Sequence, residues 1–506
     1  MRTLCMVCVL LVSAVSVGSA DAQAQRQARP PNVVFIMADD LGYREVGAFG
    51  QEKIRTPNID RLAAEGLRLT RHYSGSAVCA PTRSILMTGL HAGHATIRGN
   101  KPTPGGTWDP ESPEGQWPIP DEDFTLAEMF KEAGYVTGAF GKWGLGGPGS
   151  TGHPNNQGFD HFYGYLCQRV AHNYYPTHLW RNHDVDVLDG NAYFPSHQRI
   201  TEPLASEAAY DERYRGQTYA PTEIAAEMLG WVRAQHEEHP DQPFFLYYPT
   251  VIPHVALQAP KEFVDSYPDG WDTEHYLGNR GYLPNATPRA TYAAMITYMD
   301  SNIGRLLDLL DELGLADNTL VVFTSDNGTT YVSGVDRDFF DSLGELRGHK
   351  GNLWEGGIRM PTVVRWPGVV APGSESATPS YHPDWMATLA GVAGWNARPP
   401  VGMGDGIDLR PVLRGEADTI ERDFMYWEFP EGQGQQAVIF GEGGRWKAIR
   451  PRLKKNPDVL ELYDLRADPG EQHNVAADHP DLVARAARIM REQHTPSRLF
   501  PFKALD

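Results

Sequence analysis

Short apolar runs that end in acids alternate with amphipathic stretches along most of this chain. In PPNVVFIMADDLG (31–43), Val33 to Met37 form an unbroken apolar run closed by Asp39 and Asp40. Such a run, without polar alternation, predicts a strand buried on both faces. TLVVFTSDNG repeats the arrangement, with a strand over 319–324 followed by Asp326 and Asn327. PFFLYYPTVIPH predicts a buried strand over 243–249 that runs into a polar loop. Between these runs the period changes. TPNIDRLAAEGLRLTRHY starts a helix near Pro57–Asn58, with Ile59, Leu62 and Ala63 on one face. TLAEMFKEAGYVTGAFGKW gives a helix over 125–133, a stop at Gly134 and a strand over 135–140. A long amphipathic helix follows over about 292–313, stopped by Gly314. MPTVVRWPG adds a strand and HPDWMATLAGVAG a helix. This alternation predicts an α/β fold, a mostly parallel central sheet flanked by helices.

The texture changes after about residue 415. FMYWEF, QAVIFG, RWKAIR and LELYDL read as short strands separated by Gly, Pro and charge, and a helix over 481–492 closes them. They predict a small C-terminal α+β domain over 415–506 with an antiparallel sheet, set against a main domain over 25–414. Residues 102–120 and 144–215 read as loop-rich insertions, dense in His, Tyr, Trp and Asn. Loops of that length are usually functional or disordered.

The first 24 residues differ from everything after them. Arg2, an apolar stretch over 4–16 and small residues around Ala20 to Ala24 read as a secretory signal. The apolar stretch is shorter than the ~20 residues a membrane span needs, and no later stretch is long and apolar enough. An exported protein, periplasmic or secreted and without a stable membrane anchor, is the expectation. Of the four cysteines, Cys5 and Cys8 leave with the signal, so Cys79 and Cys167 remain. Outside the cytoplasm the bland reading is one disulfide between them.

The formal net charge of -19 excludes a nucleic-acid binder, which needs a basic footprint. Any site for an anion must then be a local cluster of Lys, Arg and His. Two strand ends carry oxygen ligands, Asp39 with Asp40 and Asp326 with Asn327. Either pair alone is an ordinary surface turn. A parallel sheet, however, brings its strand C-termini to one edge, and three carboxylates with one amide oxygen suit a hard cation, calcium or magnesium. Cys79 stands at a helix start in SGSAVCAPTRSILMTG, where backbone amides and Arg83 favour an anion. It could be a core residue, a metal ligand, a nucleophile or a precursor. Lys142, His254 and Lys350 sit in loops that follow strands or lead into glycine-rich turns, places where a shared site gathers side chains.

From NVVFIMADDLG through CAPTR, GKW, the PH loop, TSDNG and KGNLWEGGIRMP to the terminal domain, the chain resembles the type I sulfatases of the alkaline phosphatase superfamily. That family hydrolyses sulfate monoesters. The resemblance implies that Cys79 is oxidised to Cα-formylglycine by a transient partner, the formylglycine-generating enzyme. It implies one calcium ion held by Asp39, Asp40, Asp326, Asn327 and the modified residue 79. It gives Arg83 the task of orienting residue 79, and places Lys142, His254 and Lys350 on the sulfate or the leaving oxygen. One hydroxyl of the aldehyde hydrate attacks sulfur in line; the other later lets sulfate leave by C–O cleavage.

One position departs from the family's pattern, Gly-Lys-Trp-His-Leu-Gly. This chain reads GKWGLG, with Gly144 in the histidine's place. His153, His172 and His178 are candidates to stand in, His153 first by proximity in sequence. The insertion centred on CQRVAHNYYPTHLWRN supplies Arg169, His172, His178, Trp180 and Arg181 which, with His153, suit a sulfated saccharide attacked at its end. Two other readings compete. A phosphate mono- or diesterase of the same superfamily would use Ser or Thr and a zinc pair. A catalytically silent carbohydrate-binding relative would account for Gly144.

Overall fold

The computed structural model describes residues 29–100, 114–396 and 404–506. The signal expected over 1–24 and most of the stretch 102–120 lie outside the described residues. No helix among the described residues is long and apolar enough to cross a membrane.

The main sheet has eleven strands: β1 (Asn32–Ala38), β2 (Leu67–Tyr73), β3 (Val136–Lys142), β4 (His161–Tyr165), β5 (His178–Arg181), β6 (Asp184–Val187), β7 (Phe244–Pro249), β8 (Thr319–Ser325), β9 (Arg359–Arg365), β10 (Ser374–Ser376) and β11 (Ser380–Tyr381). Their spatial order is β10-β2-β9-β8-β1-β7-β3-β4-β5-β6, with β11 pairing β2 beyond β10. The central neighbours β8, β1, β7, β3 and β4 are all parallel. β9 runs against both of its neighbours, and β5 and β6 are antiparallel at the far edge.

The unbroken apolar run of β1 is explained by its two buried faces. Val34 and Ile36 belong to one core cluster, with Met295, Ile296 and Met299 of the long helix Pro288–Glu312. Val33, Phe35 and Met37 belong to a second cluster, with Leu86, Met87 and Trp385. Each such side chain contributes roughly 1.5–3 kcal/mol by leaving water. The helix Leu126–Glu132 starts where expected, closed by a capping box between Thr125 and Glu128.

The C-terminal sheet is β12 (Phe424–Phe429), β13 (Gln435–Phe440), β14 (Trp446–Arg450) and β15 (Glu461–Asp464), antiparallel throughout. One face packs on the helix Pro480–Glu492 through Ile489 and Met490. Trp427 and Ile439, from the other face, join Tyr73, Trp354 and Tyr381 of the main body. A buried ion network ties the two bodies, with Lys447 Nζ 3.0 Å from Glu355 Oε1 and 2.9 Å from Glu471 Oε1.

Two stretches carry elements that the sequence reading did not assign. LRLTRHY, after the helix Pro57–Ala64, forms β2, between β9 and β10. The loop-rich insertion 144–215 holds regular structure as well. It adds β4 to the parallel core, hangs β5 and β6 on its edge and carries a helix, Glu207–Tyr214.

Candidate active site

β1 and β8 are parallel neighbours in register, Ala38 opposite Ser325, so the acids that follow them emerge side by side. The crossing is stitched by backbone donors. Asp326 N donates to Ala38 O at 3.0 Å, Asp40 N to Asp326 Oδ1 at 3.0 Å and Leu41 N to Ser325 Oγ at 3.0 Å. Asp40 is held at φ +67°, a left-handed conformation that non-glycine residues adopt mainly where surrounding structure fixes them. Asp39, Asp40, Asp326 and Asn327 are fully buried.

Cys79 is the first residue of the helix Cys79–Thr88, which begins at this sheet edge. Its Sγ lies 3.2 Å from Asp39 Oδ1, 3.9 Å from Asp40 Oδ1 and 3.7 Å from Lys350 Nζ. One turn on, buried Arg83 donates from Nη2 to Asp39 Oδ2 at 3.3 Å and to Asp326 Oδ2 at 3.0 Å. Its Nη1 donates to Lys142 O at 2.5 Å. Lys142 closes β3 and reaches Asp39 Oδ2 with its Nζ at 2.5 Å. Lys350 Nζ stands 2.7 Å from Asp40 Oδ1 and 2.8 Å from Oδ2. His254 comes from the loop after β7. Its Nδ1 donates to Val255 O at 2.6 Å, which leaves Nε2 to face the site, 3.7 Å from Asp40 Oδ2. Tyr174 Oη pins that loop, 2.6 Å from His254 O and 2.9 Å from Val251 O. The sequence placed every one of these groups except Tyr174.

Burial dominates the electrostatics. It works to raise Asp39, but Lys142, His254, Arg83 and Lys350 outweigh it and hold that carboxyl below its ordinary range. Burial raises Asp40 against the pull of Lys350. Burial and the Asp39 charge push Asp326 up to about 7. The Cys79 thiol is pushed well above its usual range by burial, then by Asp326 and Asp39. A thiol so disfavoured as thiolate is a poor nucleophile. His254 is held well below its ordinary value by burial, Lys350 and Lys142.

A hard cation fits these residues. Asn327 Nδ2 donates to Asp40 Oδ1 at 2.7 Å, whereas its Oδ1 is buried with no hydrogen-bond partner among the described residues. That orphaned oxygen, with three buried carboxylates around it, is a donor set of the kind calcium takes. Ligand atoms of Asp39, Asp40, Cys79 and His254 lie within 4.8 Å of one another. The three carboxylates face three cations, Arg83, Lys142 and Lys350. A divalent ion would therefore leave the site with net positive charge, suited to an anion.

The remaining candidates divide. The His172 ring stacks on His254, centroids 4.8 Å apart and planes at 10°, and its Nδ1 is buried without a hydrogen-bond partner among the described residues. Arg169 lies three residues earlier and accepts His172 N at its carbonyl, 3.2 Å away. His153 sits elsewhere in its bonding. Asn155 N donates to its Nδ1 at 3.3 Å and its Nε2 pairs with Asn182 O at 3.2 Å, so backbone occupies both nitrogens. Proximity in sequence was a poor guide to it: His153 is the structural N-cap of a short turn. His178 Nε2 and Trp180 Nε1 share Glu114 Oε1, at 2.8 and 3.1 Å. Arg181 is spent on Glu227 and Asp186. Cys79 and Cys167 are both free and buried, so the bridge does not form.

Two contributors had no signal in the sequence. Tyr282, at φ +65° in a loop, sets its ring 5.9 Å from His254 and 5.1 Å from His172. Burial pushes its hydroxyl up to about 12, against the pull of Lys350. Gln168 is buried against Gly144, and its Oε1 has no partner among the described residues.

The Sulfatase family model matches residues 31–395, and the model for the N-sulphoglucosamine sulphohydrolase C-terminal region matches 348–494. The chain is 28% identical to the N-acetylgalactosamine-6-O-sulfatase of Bacteroides thetaiotaomicron, over 93% of this chain and 94% of that one. It is 31% identical to human arylsulfatase A, over 88% and 84% of the two chains. Among solved structures, Ps i-CgsB in complex with k-i-k-neocarrahexaose superposes with a TM-score of 0.71 at 26% identity, covering 92% of each chain.

Proposed function

The chain belongs to the sulfatase family, sulfuric ester hydrolases, and from that premise we propose that it removes sulfate from the end of a sulfated saccharide, with aryl sulfates as assay substrates. The buried cluster of Asp39, Asp40, Cys79 and His254 matches the calcium and formylglycine arrangement of sulfatase active sites. That cluster carries the reading, because residue 79 stands within 3.2 Å of Asp39 Oδ1 and 3.9 Å of Asp40 Oδ1, among the carboxylates that would hold the ion.

Asp39, Asp40, Asp326 and Asn327 would hold the ion together with residue 79. Calcium would supply Lewis-acid charge there, and the hydrated formylglycine would supply the oxygen nucleophile. The chain's own groups do the rest. Arg83 fixes the carboxylates beside residue 79. Lys142 and Lys350 hold charge on the transferring group, as cations do at phosphoryl-transfer sites. His254 is anchored at Nδ1, so Nε2 is the atom that gives a proton to the leaving oxygen. Lys350 alone of these groups keeps appreciable exposure, 17%. A sulfate entering from that side must project from its parent, which favours attack at a chain end.

Arg169 and His172 wall the sugar, and His178 with Trp180 brace that wall through Glu114. The main domain over 25–414 carries the chemistry and 415–506 completes the fold around it. The protein is exported, meeting the formylglycine-generating enzyme on the way. The test is the intact mass of the tryptic peptide containing residue 79 from exported protein, read alongside sulfate release with and without a chelator. Aldehyde at residue 79 with chelator-sensitive release is expected. An unmodified thiol in active protein would sink the mechanism.

A further inference from the structure

Two side chains of one short segment, His172 and Tyr174, hold His254 in different ways. The turn Val170–His172 follows β4 and leads directly into Tyr174. Tyr174 Oη lies 2.6 Å from the carbonyl oxygen of His254 and 2.9 Å from that of Val251, and so fixes the backbone of the loop. His172 meets the side chain itself, its imidazole stacked on that of His254 with centroids 4.8 Å apart and planes at 10°. Tyr282 adds a T-shaped contact, centroids 5.9 Å apart and planes at 74°.

These ring contacts supply what the hydrogen bond of His254 does not. Its Nδ1 donates to Val255 O at 2.6 Å, and one bond through one atom leaves the ring plane free to turn about it. Nε2, on the other side of the ring, would then sweep across the site. A stacked face and a T-shaped neighbour fix the plane, and Nε2 stays toward Asp40 Oδ2, 3.7 Å away. The stacked face is also of the right charge. Burial, with His254, Lys142, His197 and Lys350 around it, holds the His172 imidazole well below its ordinary value, so the ring is neutral. A neutral π face attracts the cation that His254 becomes when it carries a proton; a charged ring there would repel it. His172 Nδ1 is buried with no hydrogen-bond partner among the described residues, so no bond at that atom competes with the stack.

Gly144 makes the approach possible. Its N donates to Leu166 O at 3.1 Å, and a β-carbon at 144 would meet Gln168 Cγ at 2.7 Å. The segment 166–168 therefore lies closer to β3 than a side chain at 144 would allow, and it runs on into the turn that carries His172.

We propose that His172 is the positioning residue for His254, holding the imidazole plane so that Nε2 faces the leaving oxygen. The proposal rests on the reading of His254 as the proton donor to that oxygen. It adds the residue through which the insertion 144–215 serves the step, and it makes the glycine at 144 part of the same arrangement.

The test compares two aryl sulfates, 4-nitrophenyl sulfate and 4-methylphenyl sulfate. Nitrophenolate leaves without help, whereas methylphenolate needs a proton in the transition state. His254→Ala should therefore slow the methylphenyl ester far more than the nitrophenyl ester. His172→Leu fills the space without a ring face, with His172→Ala in its place should it not fold. It should lower kcat about tenfold on the methylphenyl ester and less than about twofold on the nitrophenyl ester, with KM unchanged on both. His172→Phe restores the face and should recover most of the loss. Added to His254→Ala, His172→Leu should cost nothing further, because the ring it acts through is gone. Equal slowing of both esters, no slowing, an additive loss in the double variant, or His172→Phe as slow as His172→Leu overturns the proposal. If His254→Ala slows both esters alike, His254 is not the proton donor and the proposal falls with that reading. Unaltered enzyme that releases neither phenol removes the hydrolase reading itself.

Discussion

Gln168 fills the space into which a side chain at position 144 would project: a β-carbon built on Gly144 would stand 2.7 Å from Gln168 Cγ and 3.0 Å from its Cδ. Gly144 also sits at φ +79°. The place that the family's pattern gives to a histidine is therefore occupied from the side, by a carboxamide that cannot titrate. Gly144→His should not restore a missing group. It should instead lower stability by about 1–3 kcal/mol through overpacking, with roughly 1–2 kcal/mol more from the left-handed backbone. Denaturant melts check the loss, and the double variant with Gln168→Gly should recover the overpacking part. A single variant as stable as the parent would mean that Gln168 swings away freely.

Arg83 answers two buried carboxylates, Asp39 and Asp326, with one guanidinium. Removing one partner of a buried ion pair leaves charge uncompensated, a loss of about 3–5 kcal/mol. Arg83→Ala should show that loss in metal-free protein. Lys350→Met should be milder in stability, because Lys350 is partly exposed, yet lower kcat about 10²–10³-fold. Urea titration and steady-state rates on an aryl sulfate separate the two effects. Equal stability losses for both variants would contradict the burial argument.

The catalytic cluster was legible because it is built from strand ends. Once 33–37 and 319–324 read as buried parallel strands, Asp39, Asp40, Asp326 and Asn327 had to share an edge, and β1 and β8 are indeed neighbours. Lys142 closes β3 and His254 follows β7, so both reach the same edge. The insertion was opaque because its contacts are not periodic. His153, nearest in sequence to Gly144, is bound by backbone, whereas His172 is carried to His254 by the turn after β4. Tyr282 reaches the site through a left-handed residue in a loop, and no hydrophobic pattern encodes that. β2 was not predicted because LRLTRHY follows directly on a helical period, broken only by Gly66.

The donor set built around Asn327 Oδ1 makes calcium part of the fold's stability as well as of its chemistry. Three carboxylates held together without a cation repel one another. Treatment with a chelator should abolish sulfate release and lower the melting temperature, and added calcium should restore both. At free calcium one hundred times its dissociation constant the gain is about 2.7 kcal/mol. Asn327→Ala should shrink that calcium-dependent shift by removing Oδ1, and should lower metal-free stability by about 1–3 kcal/mol because it also removes the buried Nδ2 bonds to Asp40 Oδ1 and Gly328 O. Calorimetric scans with and without calcium give the comparison. A melting temperature indifferent to calcium would remove the ion from this account.

Away from the catalytic site, His382 is fully buried, and burial pushes its imidazole down to about 3. In the unfolded chain it takes a proton near its ordinary value of about 6.5. The native state binds fewer protons over that interval, so stability is complete above about pH 6.5 and drains away as pH falls through it. The loss continues until the pH reaches the depressed native value, at roughly 1.4 kcal/mol per pH unit, or about 2 kcal/mol by pH 5. His72, whose ring lies 5.5 Å from that of His382, is depressed in the same direction by burial and by His382. His382→Asn removes one titrating group and should flatten the dependence of unfolding free energy on pH between 6 and 4 by about that slope. Denaturant melts at three pH values in that range measure it, and an unchanged slope would show that His382 is protonated in the folded protein.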